Sequence, residues 1–177
     1  PRSKRKESSA ASDVYKRQYI KPLEELPSLT FFVKPTTPYF SGSAYALAMN
    51  SWILDAISGR DKNPKYEVID EVDIDDEIIA FIQEYKDPST KSITVAGKNF
   101  HAFDYNFLSR RIQMKIKSRS LDPAILFTDW ENDTSPPSQG DCCERAGLDS
   151  LVTHDAYDDN LQVIQLLRKQ YTSITPT

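Results

Sequence analysis

The chain has 177 residues, 39% of them apolar, which is enough to bury one core and falls in the size range of one domain. No window approaches eighteen uninterrupted apolar residues, and the charged, serine-rich start has no apolar stretch followed by a cleavage site, so neither membrane insertion nor secretion is expected. A formal charge of -4 argues against a broad basic face for polynucleotide, and five glycines with no G-x-G-x-x-G and no glycine-rich loop ending in Lys-Ser/Thr remove the main support for dinucleotide and P-loop chemistry.

Residues 1–18 show neither helical nor strand period. Of the chain's 22 basic and 26 acidic side chains, six and two lie here, which leaves 16 basic and 24 acidic for residues 19–177. The run from Ser8 to Gln18 resembles translated adaptor read-through fused to the open end of a gene, and it is set apart from a domain spanning 19–177; a native disordered tail is the alternative. A chain this acidic, if it handles polynucleotide, is expected to do so in a small site where metal ions offset carboxylates.

From residue 19 the pattern is that of an α/β domain. Leu29–Val33, β-branched and aromatic between Pro27 and Pro35, predicts a strand. Residues 43–58 place Ala46, Met49, Ile53 and Ile57 at three- and four-residue steps, which predicts one helix or two short ones ended by Gly59. The acidic run Asp70–Glu77 leads into a helix over IIAFIQEY, with Asp73, Asp75 or Asp76 as its cap. Ser92–Ala96 has the look of a buried strand in a parallel sheet, stopped by Gly97, and a helix over Asp104–Arg111 should follow. Leu121–Phe127 is ambiguous between a strand end and a helical turn begun at Pro123. Thr128–Gly140 is polar and proline-broken, hence a loop. A short helix near Cys142–Ala146 precedes the longest periodic segment, His154–Tyr171, with Ala156, Val163, Leu166 and Leu167 on one side. Cys142 and Cys143 are adjacent, where a mutual disulfide would be badly strained, and no second pair gives zinc-ligand spacing; a reducing, cytoplasmic compartment is the simpler expectation.

Two motifs carry chemistry. His154-Asp155-Ala156-Tyr157-Asp158-Asp159 reads H-x-A-x-x-D at the mouth of the final helix, where a neutral histidine can take a proton from water and an aspartate can ligate a divalent ion. Alone, this pattern is more often helix capping. Lys98-Asn99-Phe100-His101-Ala102-Phe103-Asp104-Tyr105-Asn106-Phe107-Leu108, directly after the Ser92–Ala96 strand, resembles the second motif of the DEDDh-type 3′–5′ exonucleases. Matched by motif, the second-motif aspartate is Asp104, and the histidine and final aspartate of the third motif are His154 and Asp159. The resemblance covers residues 20–172 in organisation, with only these two motifs specific.

What the resemblance implies is an RNase H-like exonuclease fold, a mixed central sheet flanked by helices, and hydrolysis at the 3′ end of single-stranded DNA or RNA with two divalent cations, Mg²⁺ or Mn²⁺. It makes His154 the general base, and Asp104 and Asp159 metal ligands, all three meeting in one acidic pocket. Asn99 and Phe100 become candidates for contacting the terminal nucleotide, joined by Met49 and Asn50; for Met49 and Phe100, core packing is the equally weighted alternative. His101 is expected to be a surface or groove residue. A DNA polymerase partner and a homodimer are within what the family does. The family's first motif, a strand carrying D-x-E, has no counterpart before residue 19, and Asp73-Ile74-Asp75 and Asp75-Asp76-Glu77 sit where helix capping explains them. The first strand is therefore expected to be missing or replaced, and the 177-residue chain to have little or no activity. The competing reading is an exonuclease-like module without catalysis that binds nucleic acid or a polymerase; a third is an unrelated α/β domain with accidental motifs.

Overall fold

The computed structural model describes residues 21–37, 42–110, 115–151, 153 and 155–174. The segment read as adaptor-like lies outside them, as does His154. The chain divides into two compact units, Leu29–Asp122 and a second that joins residues 21–28 to the stretch from Pro123 onward.

The first unit is α/β, built from two parallel strand pairs. Strand β1, Phe31–Lys34, lies parallel to β2, Glu67–Asp70, in the register Phe31↔Glu67 to Lys34↔Asp70. Parallel neighbours need a crossover, and helices α1 (Ala44–Met49) and α2 (Ser51–Ile57) provide it. Ser43 starts α1 by accepting the Ala46 N–H on its hydroxyl at 3.2 Å. Gly59 ends α2 at φ 72°, so that Gly59 and Arg60 donate back to Ala56 and Asp55 in a glycine-type helix stop. The core here is Phe32, Ala56 and Ile57, with Ile53, Leu54, Tyr66 and Val68 packed against it. The Phe32 ring meets Trp52 and Tyr66 edge-on at 5.2 and 5.3 Å, the favoured geometry for ring quadrupoles.

A 3-10 turn, Glu71–Asp73, leads into α3, Ile74–Tyr85. Asp73 occupies the cap position but makes no side-chain cap bond. The acidic first turn of Asp75, Asp76 and Glu77 therefore favours the helix through the dipole, which corrects the expectation of an aspartate cap by Asp73. Strand β3, Ser92–Ile93, pairs in parallel with β4, Lys115–Ile116, across α4, Asp104–Leu108. The pairing resumes at Ala96↔Leu121, where Leu121 and Gly97 exchange bonds with Val95 and Leu121 at 2.9 and 3.0 Å. Leu121 is thus a strand end and Pro123 the start of a helix, so both readings of that stretch apply. The Ser92–Ala96 strand is parallel as expected, yet Thr94 and Ala96 are exposed; one face is wet rather than both being buried.

The second unit is helical: α5 (Pro123–Leu126), α6 (Gln139–Arg145) and α7 (Ala156–Ile174). Ala124, Cys142, Cys143 and Leu166 form its core, with Phe127, Ala146 and Leu148 against them; full burial of a leucine such as Leu166 contributes about 1.5–3 kcal/mol. Both cysteines are free thiols. Ser138 and Asp141 make a reciprocal capping box at the start of α6. At its end, Gly147 at φ 66° lets Leu148 donate to Cys143 and Gly147 to Glu144, the paired bonds of a Schellman turn, and Leu148 then folds onto the core. Arg145 clasps Asp133, with Nη2 donating to Oδ1 at 2.8 Å, and Nη1 also reaches the Phe127 carbonyl at 2.7 Å. In α7, Val163 and Leu166 are buried and Leu167 half-buried as the period predicts, whereas Ala156 is exposed: at the first turn the helix has not yet met the core. No helix among the described residues is long and apolar enough to cross a membrane.

Candidate active site

In the α/β unit the second motif folds as strand, turn and helix. Gly97 closes the ladder after β3, and Asn99 turns the chain with φ 55°, a left-handed conformation that asparagine tolerates better than most residues. The Asn99 N–H donates to Asp122 Oδ2 at 3.0 Å, and its carbonyl accepts from Ala102 and Phe103. Asn99 thus sets the turn with its backbone, and its exposed side chain projects from it. Asp122, between the strand end at Leu121 and the helix begun at Pro123, is the residue that fixes this turn.

Asp104 is the first residue of α4 and half-buried. Burial pushes its carboxyl above the ordinary carboxylate range, opposed in part by its own backbone N–H. A desolvated carboxylate of this kind gains from a neighbouring cation. Phe100 is buried, 6% exposed, and edge-on to His101 and Tyr105 at 5.4 and 6.4 Å. Of its two candidate roles, packing is the one observed. His101 is half-buried, with an inaccessible Nε2 that lacks a hydrogen-bond partner, where its ring meets Phe100 and, at 5.3 Å, Tyr105. Met49 closes α1 and is 37% exposed. Asn50 caps the same helix, donating Nδ2 to the Ala46 carbonyl at 2.9 Å, so its amide is a joint between α1 and α2.

In the helical unit, Asp159 lies in the first turn of α7 and is half-buried. Its N–H closes the first helical bond to Asp155 at 2.9 Å, and its carbonyl accepts from Gln139 Nε2 at 3.0 Å, tying α6 to α7. The capping is done by Asp155, 6% exposed, whose Oδ1 accepts the Tyr157 N–H at 2.9 Å. The cap that the third motif could have been is therefore Asp155, and Asp159 has no part in it. His154 lies outside the described residues.

Two stretches repeat the letters D-x-E, and both have local work. Asp75-Asp76-Glu77 is the first turn of α3. Asp129-Trp130-Glu131 is a turn in which the Asp129 carboxylate accepts from Glu131 N–H and Asn132 Nδ2 at 3.1 and 2.7 Å. Among the described residues no three His, Cys, Asp or Glu side chains group so as to hold a metal ion. The described donors do not by themselves make a two-ion site. Comparison with protein-family models, curated proteins and solved structures finds no match to the chain.

The α/β unit also carries a block of basic residues. Residues 98–119 hold six basic side chains, Lys98, Arg110, Arg111, Lys115, Lys117 and Arg119, against the single acidic Asp104. Net charge averaged over the chain hid this block, and counting charge in a sliding window would have found it.

Proposed function

We propose that the chain is a 3′–5′ exonuclease domain of the DEDDh type with an RNase H-like ancestry, acting on the 3′ end of single-stranded DNA or RNA. The supporting observation is the setting of the second motif: a parallel strand, a tight turn at Asn99, and Asp104 as the first residue of the helix that follows. Asp159 in the first turn of the last helix agrees with the third. In this reading Asp104 and Asp159 are carboxylate ligands for Mg²⁺ or Mn²⁺, His154 is the base, and Asn99 and Met49 border the terminal nucleotide. The raised proton affinity of Asp104 suits a carboxylate that a cation stabilises. Two more carboxylates from a D-x-E strand are needed, since two ions bracket the phosphate in this chemistry.

The test is a 3′-end release assay with Mg²⁺ or Mn²⁺, run on the 177-residue chain and on the chain extended by the reading frame upstream of residue 19. The chain alone should release little or no mononucleotide. An extension that encodes D-x-E should restore release, and Asp159→Ala or Asp104→Ala should then lower it at least a hundredfold. An extended chain with D-x-E that binds oligonucleotide but cuts none would overturn the enzyme in favour of a binding module.

A further inference from the structure

The helix that carries Asp104 also exposes a pair of aromatic rings. Phe103 and Phe107 are 67% and 65% exposed, with ring centroids 5.8 Å apart at 55°. They stand one helical turn apart, the spacing that stacks side chains on one face. His101 and Tyr105, also four residues apart, pack with the buried Phe100 instead. The segment thus has an inner aromatic cluster that anchors it and an outer pair that contributes nothing to the core. Large apolar side chains grouped in water mark interaction sites.

One cation lies beside the pair. Arg110 and Phe107 line one cleft of about 500 Å³ with Asn106 and Asp75. On β4 and just after it, Lys115, Lys117 and Arg119 are exposed. Lys115 and Lys117, two residues apart, share a face of the strand, opposite the half-buried Ile116. None of Arg110, Lys115, Lys117 and Arg119 forms an ion pair with a described carboxylate. Exposed rings combined with unneutralised cations are the two components of single-strand binding: base faces stack on the rings and phosphates meet the cations. An apolar protein partner would account for the rings but not for the surplus of positive charge in an otherwise acidic chain.

We propose that the Phe103–Phe107 ridge, with Arg110 beside it, is a stacking platform for the unpaired bases of a single-stranded nucleic acid. The rings receive bases and Arg110 a phosphate. This deepens the nucleic-acid reading above and rests on it, but it does not rest on cleavage.

The experiment is fluorescence anisotropy of a labelled oligothymidylate with the full chain at low salt in EDTA, so that hydrolysis plays no part. Wild type should bind, and Phe103→Ala and Phe107→Ala should each weaken binding by about fivefold to a hundredfold. Phe107→Trp should keep the affinity, while Phe107→Leu, apolar but unable to stack, should lose it as alanine does. Arg110→Gln should flatten the salt dependence by about 0.7 in the log–log slope. Both rings are exposed, so circular dichroism should show the variants folded. Failure of wild type to bind, or a Phe107→Leu variant that binds like wild type, overturns the proposal. So does a ridge variant that breaks up a dimer in sedimentation and leaves oligonucleotide affinity unchanged, which would make the ridge a self-association face. Failure of the release assay with binding intact sinks the enzyme and leaves the platform standing.

Discussion

The two units are built to different degrees of closure. In the helical unit Cys142, Cys143 and Leu166 are fully buried and Ala124 is 2% exposed. Its middle helix is fastened at both ends, by a capping box and by a glycine stop, and Arg145 ties that helix to the preceding loop. In the α/β unit the core residues Phe32, Ala56 and Ile57 all remain slightly accessible. Its strands are four residues or two, and aromatic rings stand in water on α4. The unit with least closure carries the second motif, the cleft beside Phe107 and the ridge. Binding surfaces come from such regions because groups committed to a core cannot meet a ligand.

The contrast can be broken first at its strongest point. Leu166→Ala should cost about 4–5 kcal/mol, the upper part of the range for such a change, because a site enclosed on all sides collapses poorly; chemical denaturation followed by circular dichroism measures it, and a loss under about 2 kcal/mol would mean the helical core is looser than described. Phe32→Ala should cost about 3 kcal/mol, the low end for phenylalanine, since Trp52 and Tyr66 can close over the gap. Equal losses at the two positions would erase the difference in closure. Ser138→Ala removes one half of the capping box and should cost about 1 kcal/mol.

The smallest effect is on pH. The Arg145 guanidinium holds the Asp133 carboxyl down to about 2, from an ordinary 3.8. A depressed carboxyl contributes stability that is full above 3.8 and lost as pH falls through about 2. Acid titration of wild type against Asp133→Asn should therefore diverge above about pH 4 and converge towards pH 2; curves that stay parallel throughout would show that the pair contributes nothing, as many exposed pairs do.

Periodicity made much of this legible. The last helix, the double helix over residues 43–58 and the strand at β1 follow from spacing and punctuation that a reader of the chain can count. Strand β2 was hidden because Glu67–Asp70 runs straight into the acidic stretch, whose charges drew attention to the next helix. Strand β4 is two residues between lysines, too short for alternation to stand out. At the site, the letters of the second motif place Asp104 at a helix start but do not tell which rings turn inward: Phe100, Phe103 and Phe107 are one residue type with opposite fates. That choice depends on which face of the turn meets the sheet, a tertiary fact. Asp155 taking the cap ahead of Asp159 likewise depends on side-chain geometry, because either aspartate could have been written there.

The adjacent thiols in the helical core give the molecule a built-in clock. Cys142 and Cys143 have no accessible surface, and burial raises the proton affinity of Cys143, with Asp149 adding to it. Reagents that attack thiolates must wait until this unit opens. The rate of alkylation at neutral pH thus reports the opening of the helices around Leu166, and a hydrogen-peroxide pulse should leave both sulfurs reduced for as long as that core is shut.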